Sequence, residues 1–394
     1  MAAIEAAWAG AAVTLFERNA SIGRKVMVSG GGRCNLTNDG VTASRYTCAD
    51  PAWMETLLAG FGKADLLAML RRIGVPSYHT DDGWYYPLSD SAQTVVDAFG
   101  SAMTEAGVTQ HINAQVTAIR LEKGGIRLHT ILDGVERDDT FERVIVAAGG
   151  HAYPNLGTKG ELFAELKRLG HTVLTSRPAL APVIVELKEL APLQGLRVDA
   201  GVTLWDGKTR VDSTAGNMIF TQFGLNGPAV MDISHQISAR PGHDLTLQLD
   251  LLKFVRKDFD ELLAQKRQSN TPVRVFLGGF FAPKIGALYL RLARLPEGIL
   301  FSQLDQPGLE RLLHRLEDTR LVTTGVREFE YCQISAGGVP ATETDPRTLE
   351  SCKVKGLYLT GETLDVVGPC GGYNIQYAFS SGALAGRAAA IASV

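Results

Sequence analysis

The residues best suited to chemistry stand in one short run, Ser29-Gly30-Gly31-Gly32-Arg33-Cys34-Asn35. Consecutive glycines let the backbone lie flat against a phosphate or a planar ring. Arg33 can add a planar, two-pronged donor and Lys25 a point charge. Both also read as a solvated basic pair on a loop. Cys34 has no partner at CxxC spacing, so its thiol reads as packed rather than redox-active. Ahead of this run, residues 12–17 form an apolar stretch closed by Glu17, the pattern of a buried parallel strand ending in an acid. In dinucleotide folds an acid at that place, about 20 residues beyond a glycine loop, accepts hydrogen bonds from a ribose. Taken alone, Glu17 reads equally well as a capping or surface acid.

Two further strand ends have the same character. After Arg143, residues 144–148 are apolar and run into Gly149-Gly150 after Ala148, and residues 356–360 run into Gly361-Glu362. Strands of an open α/β sheet end in this way at a ligand crevice. Gly371-Gly372-Tyr373-Asn374 then opens an alanine-rich helix over residues 375–393. The N-terminus of a helix carries roughly half a positive charge. Aimed at the pyrimidine edge of a flavin, it would favour the anionic reduced ring. The plain alternative is a tight turn into a helix. His151 and Tyr153 follow the second strand closely, and either can shuttle a proton or simply pack the loop.

These groups need elements to hold them. Residues 2–8 read as a helix stopped at Gly10, residues 51–72 and 91–106 as further helices, and residues 83–87 as an aromatic strand or loop. Residues 109–121, 126–132 and 137–143 suggest an antiparallel meander. The character changes from about Pro182 to Glu328. Strands are expected at 183–189, 197–204 and 245–251, and helices at 254–266 and 309–317. A turn-rich segment at Phe223-Gly224-Leu225-Asn226-Gly227-Pro228-Ala229 suits a substrate-facing loop or a domain-closing one. The expected fold is α/β, with a Rossmann-like domain over residues 1–182 and 329–394 and an inserted β-rich and helical domain over residues 183–328 that shapes a substrate pocket.

Composition narrows the function classes. A chain of 394 residues, 45% hydrophobic, can fill two or three cores. A net charge of −3 gives no general pull toward nucleic acid or anionic membrane. No apolar run approaches the roughly 18 to 20 residues of a membrane span, and no signal-peptide pattern opens the chain. Five scattered cysteines and eight dispersed histidines lack metal spacing, which points to reduced thiols in the cytoplasm and no metal site.

Gly23-Arg24-Lys25, the run Ser29 to Asn35, and Thr37-Asn38 together resemble the signature of the YhiN/BaiN-like flavoproteins, also described as the aminoacetone oxidase family of FAD-binding enzymes. Pro87-Leu88-Ser89-Asp90, Tyr153-Pro154 with Gly157-Thr158, Phe223 to Ala229, Ala336-Gly337-Gly338-Val339, Gly361-Glu362 and Gly371 to Asn374 resemble further blocks in the same order. The resemblance spans nearly the whole chain. It implies a glutathione-reductase/fumarate-reductase-like FAD domain split by an insertion. It also implies FAD contacts at Glu17, Arg18, Lys25, residues 29–35, Val116, Ala148, Gly149, Gly150, Gly361, Glu362 and residues 371–374. The family begins with a strand and a GxGxxG loop that hold the pyrophosphate. Met1 here aligns inside the following helix, so this chain is expected to bind FAD less well than a form with that strand and loop.

The expected activity is FAD-dependent oxidation or reduction of a small organic substrate by hydride transfer at flavin N5, with NAD(P)H as a transient reductant because no second nicotinamide fold stands out. A catalytically degenerate flavin-binding scaffold is the alternative. An RNA-modifying flavoprotein is disfavoured by the mild acidity and by the lack of a basic, aromatic stripe. Substrate, catalytic residues and oligomeric state are not written in the sequence.

Overall fold

Small residues decide how the two ends of the chain meet. In the computed structural model, which describes residues 1–391, the alanine-rich helix α1 (Ala2–Trp8) lies against the closing helix Tyr373–Ile391. Glycine at 386 is required there. A Cβ on Gly386 would stand 2.3 Å from the Ala2 carbonyl oxygen. Arg387 and Glu5 fasten the same crossing with a 2.8 Å ion pair. The closing helix was expected to run to residue 393, and its end beyond Ile391 lies outside the described residues.

The chain divides into two compact units, Met1–Pro178 with Phe329–Val394, and Ala179–Glu328. In the first unit, β1 (Thr14–Glu17) leads through α2 (Arg24–Val28) into the triple-glycine turn. β1 pairs in parallel with β2 (Thr109–Ile112), Glu17 opposite Ile112. Asn113 then turns the chain with a left-handed φ of 54°. The stretch 109–121, expected as one strand of a meander, is therefore two strands with different partners. The second part, Ala114–Glu122, forms an antiparallel sheet with Gly125–Leu132 and Val135–Phe141. β3 (Val144–Val146) and β4 (Leu357–Leu359) make a second parallel pair, Val146 opposite Leu359. Among the described residues β1 has β2 as its strand partner and β3 has β4, so each leaves one long edge without a strand neighbour. The aromatic strand Trp84–Pro87 sits between Thr37–Asn38 and Ser77–His79. Beside these sheets, the helices Pro51–Gly60 and Lys63–Arg72 bury Leu57, Leu66 and Leu70 completely, and Phe61 between them is buried as well.

The second unit is built on a closed antiparallel barrel of six strands, with helices such as Arg256–Lys266 and Pro283–Leu292 beside it in sequence. The strand order around the barrel is Val183–Val185, Gly224–Asn226, Thr209–Thr221, Arg197–Asp206, Leu245–Asp250 and Thr319–Val326. Strict alternation along Leu245–Asp250 points Leu245, Leu247 and Leu249 inward. Of the turn-rich segment from Phe223 to Ala229, Gly224–Asn226 is absorbed into this wall, where Gly224 lies against the Val183 carbonyl, and Pro228 opens the short helix Pro228–Met231. The expected helix at 309–317 starts three residues earlier, because Asp305 accepts from the Gly308 amide as an N-cap.

Two consequences are measurable. Gly386→Ala should force the terminal helices apart and cost about 1–3 kcal/mol in chemical denaturation, with little change in m. The second concerns buried His171, whose Nδ1 meets Glu343 at 2.8 Å and whose Nε2 meets the Ser351 hydroxyl at 2.9 Å. Burial opposes ionisation of Glu343, but hydrogen bonds from Lys353, Thr172 and His171 override it and hold the carboxyl at about 2, against an ordinary 4.5. A depressed carboxyl stabilises the fold above its unfolded value and loses that contribution as pH falls toward the folded one. Glu343→Gln should therefore cost about 2–3 kcal/mol at pH 7, and urea midpoints of variant and parent should converge between pH 4.5 and 2.

Candidate functional site

The carboxyl-terminal ends of β1 and β3 and the turn after β4 surround a cavity of about 1020 Å³ within the first unit. Glu17, Arg18, Lys25, Val116, Ala148, Gly149 and Glu362 all line it. So do residues 12–17 and 144–149 along their lengths, so the cavity occupies the space beside the open edges of β1 and β3.

Glu362 on this rim is held through both carboxylate oxygens. One oxygen pairs with the Lys25 ammonium. The other accepts from the Ser335 amide and hydroxyl, both at 2.8 Å. The Ser335 hydroxyl also receives the His151 amide at 3.0 Å. Gly150 makes this arrangement possible, since a Cβ there would lie 2.1 Å from Ser335 Oγ and 2.9 Å from Glu362 Oε1. The loop after β3 is drawn back by Thr158, whose hydroxyl donates to the Gly150 carbonyl at 2.8 Å. Gly361 donates its amide to Ser381 on the closing helix at 3.0 Å.

Glu17 has two tasks. One carboxylate oxygen accepts from the amide and side chain of Asn19, both at 2.8 Å, which shapes the turn after β1. The residue still lines the cavity. Arg18 pairs at 2.6 Å with Glu161 across the mouth.

The triple-glycine run does not line this cavity. Gly30, Gly31 and Gly32 all have positive φ, and a Cβ on Gly30 would meet the Asn35 amide at 2.8 Å. Ser29 closes the preceding turn through its hydroxyl to the Val26 carbonyl. Cys34 is buried, and burial raises its thiol to about 11, which keeps it protonated and inert. Asn35 and Thr37 press against Gly372, where a Cβ would come within 2.7 Å of the Asn35 side chain and 2.6 Å of the Thr37 carbonyl. Gly371 packs on Trp84, Tyr373 reaches Asn38, and Asn374 closes its own loop on Gly368. The glycine turn and the triple-glycine run thus meet each other, as a second cluster.

Gly150 and Gly361 stand next to lining residues without lining the cavity themselves, and Arg33, His151 and Tyr153 are outside it as well. Arg33 lies 4.0 Å over the Tyr86 ring and 4.0 Å from Asp90, so it forms no common groove with Glu17 and Glu362. His151 is held between the rings of Phe163 and Phe329. Burial lowers its pKa, and its Nδ1 has no hydrogen-bond partner. Tyr153 is also outside, and burial raises its pKa. Ser335 is the contact that sequence reasoning missed. It precedes Ala336-Gly337-Gly338 with no motif of its own. Among the described residues no group of three or more His, Cys, Asp or Glu could hold a metal, and no helix is long and apolar enough to cross a membrane.

The chain matches the HI0933-like protein Rossmann domain over residues 1–388. It belongs to that family. A 3-dehydro-bile acid delta(4,6)-reductase of Clostridium scindens is 34% identical over 96% of this chain and 93% of its own. A ribosomal RNA dihydrouridine synthase of Escherichia coli is 30% identical over 95% of this chain and 90% of its own. Among solved structures, a 3-ketosteroid-delta4-(5alpha)-dehydrogenase of Rhodococcus jostii shares the fold, with a TM-score of 0.51 at 14% identity over 99% of this chain and 94% of its own. The resemblance to a flavoprotein family, read first from residues 23–38, is thereby shown, as is the Rossmann-type α/β fold.

The thiols give a direct check on the local packing. Iodoacetamide at pH 8 should label exposed Cys352 in the native protein, whereas Cys34 should react on unfolding. Mass spectrometry of tryptic peptides reads the difference.

Proposed function

We propose that this chain is an FAD-dependent reductase that delivers hydride to an electron-poor carbon–carbon double bond, with NAD(P)H as the transient reductant. One arrangement carries the reading. Glu17, Gly149 and Glu362, from three separate strand ends, share one cavity with Lys25 beside them. The family supports an oxidoreductase. Both kinds of relative are named for saturating a double bond, one in a steroid skeleton and one in a pyrimidine.

The residues present fit such a cofactor. Glu362 is held on one side by Ser335, and its free partner is a cation, so it can exchange Lys25 for ligand hydroxyls without leaving its place. Lys25, released, becomes a counter-charge for a phosphate. Gly149 takes a left-handed φ of 78° and puts no side chain over the end of β3, where a Cβ would lie 3.3 Å from Thr158. When bound, the isoalloxazine ring supplies the hydride chemistry. The protein's part is to fix position and to keep the neighbouring groups in a set charge state. Burial of His151, just beyond the cavity, lowers its pKa and so disfavours a positive charge there.

The open edges of β1 and β3 favour a second reading, a non-catalytic flavin-binding scaffold. The two readings separate on turnover. Purified protein titrated with FAD should quench flavin fluorescence. Anaerobic NADPH or NADH should bleach the bound flavin, and an enone should restore its absorbance. Glu362→Gln should weaken FAD about tenfold, the equivalent of one charge-assisted hydrogen bond. Flavin that binds but is never bleached supports the scaffold. No flavin binding at all overturns both.

A further inference from the structure

The three-stranded sheet of the first unit ends on an open edge. Its outer strand, Val135–Phe141, pairs with Gly125–Leu132 on one side and, among the described residues, has no strand neighbour on the other. Residues 135–140 are all exposed. Asp133 and Gly134, with φ of 48° and 82°, make the two-residue turn that joins the two strands. Leu132 and Val135 close that turn as a hydrogen-bonded pair, and such pairs recur at every second residue of an antiparallel ladder. Val135, Arg137, Asp139 and Phe141 therefore spend their amides and carbonyls on the neighbouring strand. Those of Glu136, Asp138 and Thr140 point outward.

A long exposed edge is ordinarily guarded by charge. The charges on this edge guard it selectively. A second copy of the strand, running antiparallel, can join without a bulge only where outward groups meet outward groups. With a two-fold axis at Asp138, Arg137 faces Asp139 of the second copy and Val135 faces its Phe141, and symmetry makes each contact twice. With the axis at Arg137, that arginine meets itself and Glu136 meets Asp138. With the axis at Asp139, that aspartate meets itself. Only the first register is complementary. Its one like-charge contact is Asp138 with itself, and each Asp138 is already engaged by His129 of its own chain, 3.0 Å away. Among the described residues the side chains of Arg137 and Asp139 make no hydrogen bond or ion pair within the chain, so both are available.

The apolar side chains agree with the charged ones. Leu121, Ile126 and Phe141 stand opposite one another across the sheet, as do Ala114, Leu132 and Val135. The register on Asp138 joins these two rows end to end. Val135, 56% exposed in the single chain, is then set against Phe141.

We infer that this edge is the interface of a symmetric homodimer, in which two Val135–Phe141 strands pair antiparallel about Asp138 and fuse two three-stranded sheets into one of six. Such a contact uses the same patch on both copies and closes at two. It is narrow, so the dimer is reversible. Phe141, at the end of the strand, also lines the cavity of the first unit and packs on Phe16, so the junction braces one wall of that cavity. The inference does not depend on what the cavity binds.

Sedimentation velocity of the full chain over a concentration series should show a monomer passing reversibly to a dimer. Arg137→Asp sets aspartates against each other on both sides of the axis and should weaken the dimer about tenfold, as Asp139→Arg should by opposing arginines. The double variant carries the same pair reversed and should restore the dimer. Melting temperatures should stay near the parent's, because both side chains are exposed in the single chain. In concentrated parent protein, hydrogen exchange should slow at the amides of Glu136, Asp138 and Thr140. It should stay unchanged at Arg137 and Asp139, whose amides the neighbouring strand already holds. A parent that remains monomeric overturns the inference, as does a series that runs on past the dimer. So do a dimer indifferent to the single reversals, a double variant that does not recover it, and exchange that slows alike at all five amides.

Discussion

Backbone hydrogen bonding is the constraint on which the first unit turns. A parallel strand buried in an α/β sheet must satisfy its amides and carbonyls on both edges. β1 and β3 each do so on one edge, through β2 and β4, and leave the other facing the cavity. The cavity is consequently bounded along its sides by polar backbone and at its end by the acids and glycines of the strand termini. An extended segment would answer the first boundary, and a ligand with hydroxyls and phosphates the second. The same geometry that leaves the sheet divided exposes the rim where chemistry is proposed.

Glycine and charge divide the work at that rim. Gly150 contributes nothing chemically, but its missing Cβ lets Ser335 approach Glu362. Ser335 in turn fixes one carboxylate oxygen and frees the other to trade partners. Gly372 does the parallel service for the segment after the triple-glycine run, letting Asn35 and Thr37 close on the start of the last helix. In both places the residue that makes contact and the residue that permits it come from distant parts of the chain. Each contact therefore depends on the terminal segments being docked as well as on the sheet itself.

Much of this was legible in the sequence, and the gaps have physical causes. The apolar runs ending at Glu17, Gly149 and Glu362 announced parallel strands because buried strands need no alternation. The break at Asn113 was not legible, since an asparagine in a left-handed turn leaves the pattern of β-forming residues continuous on either side. Closure of the barrel was missed because it is a property of pairings such as Val183 with Val326, far apart in sequence. Arg33 read as a ligand contact from its glycine neighbours, yet the Tyr86 face and Asp90 captured its guanidinium. His151 read as a proton carrier from its place after β3, yet Phe163 and Phe329 enclosed it. Type and spacing located the strand ends, and side-chain direction, which spacing does not encode, decided which residues reached the cavity.

Direction also explains why a basic hollow in the second unit, lined by Arg294, Arg311, Arg315 and Arg320 among others, had no trace in the sequence. Its arginines are spread from 294 to 320 among acids such as Glu297, Glu310 and Glu317, so any window along the chain averages near neutrality. Folding sorts them. Glu317 turns to Arg256, and Asp318 to Arg320. Glu297 turns to Arg274. Once those acids are engaged, the guanidinium groups that remain on the hollow are uncompensated. A surface field of one sign can thus arise in a chain of mild opposite charge, because ion pairing withdraws acids and bases from the surface in unequal numbers at each place. Net charge bounds the long-range pull on a partner and says little about a site a few ångströms across, where a screening length of about 8 Å isolates it from the rest of the molecule.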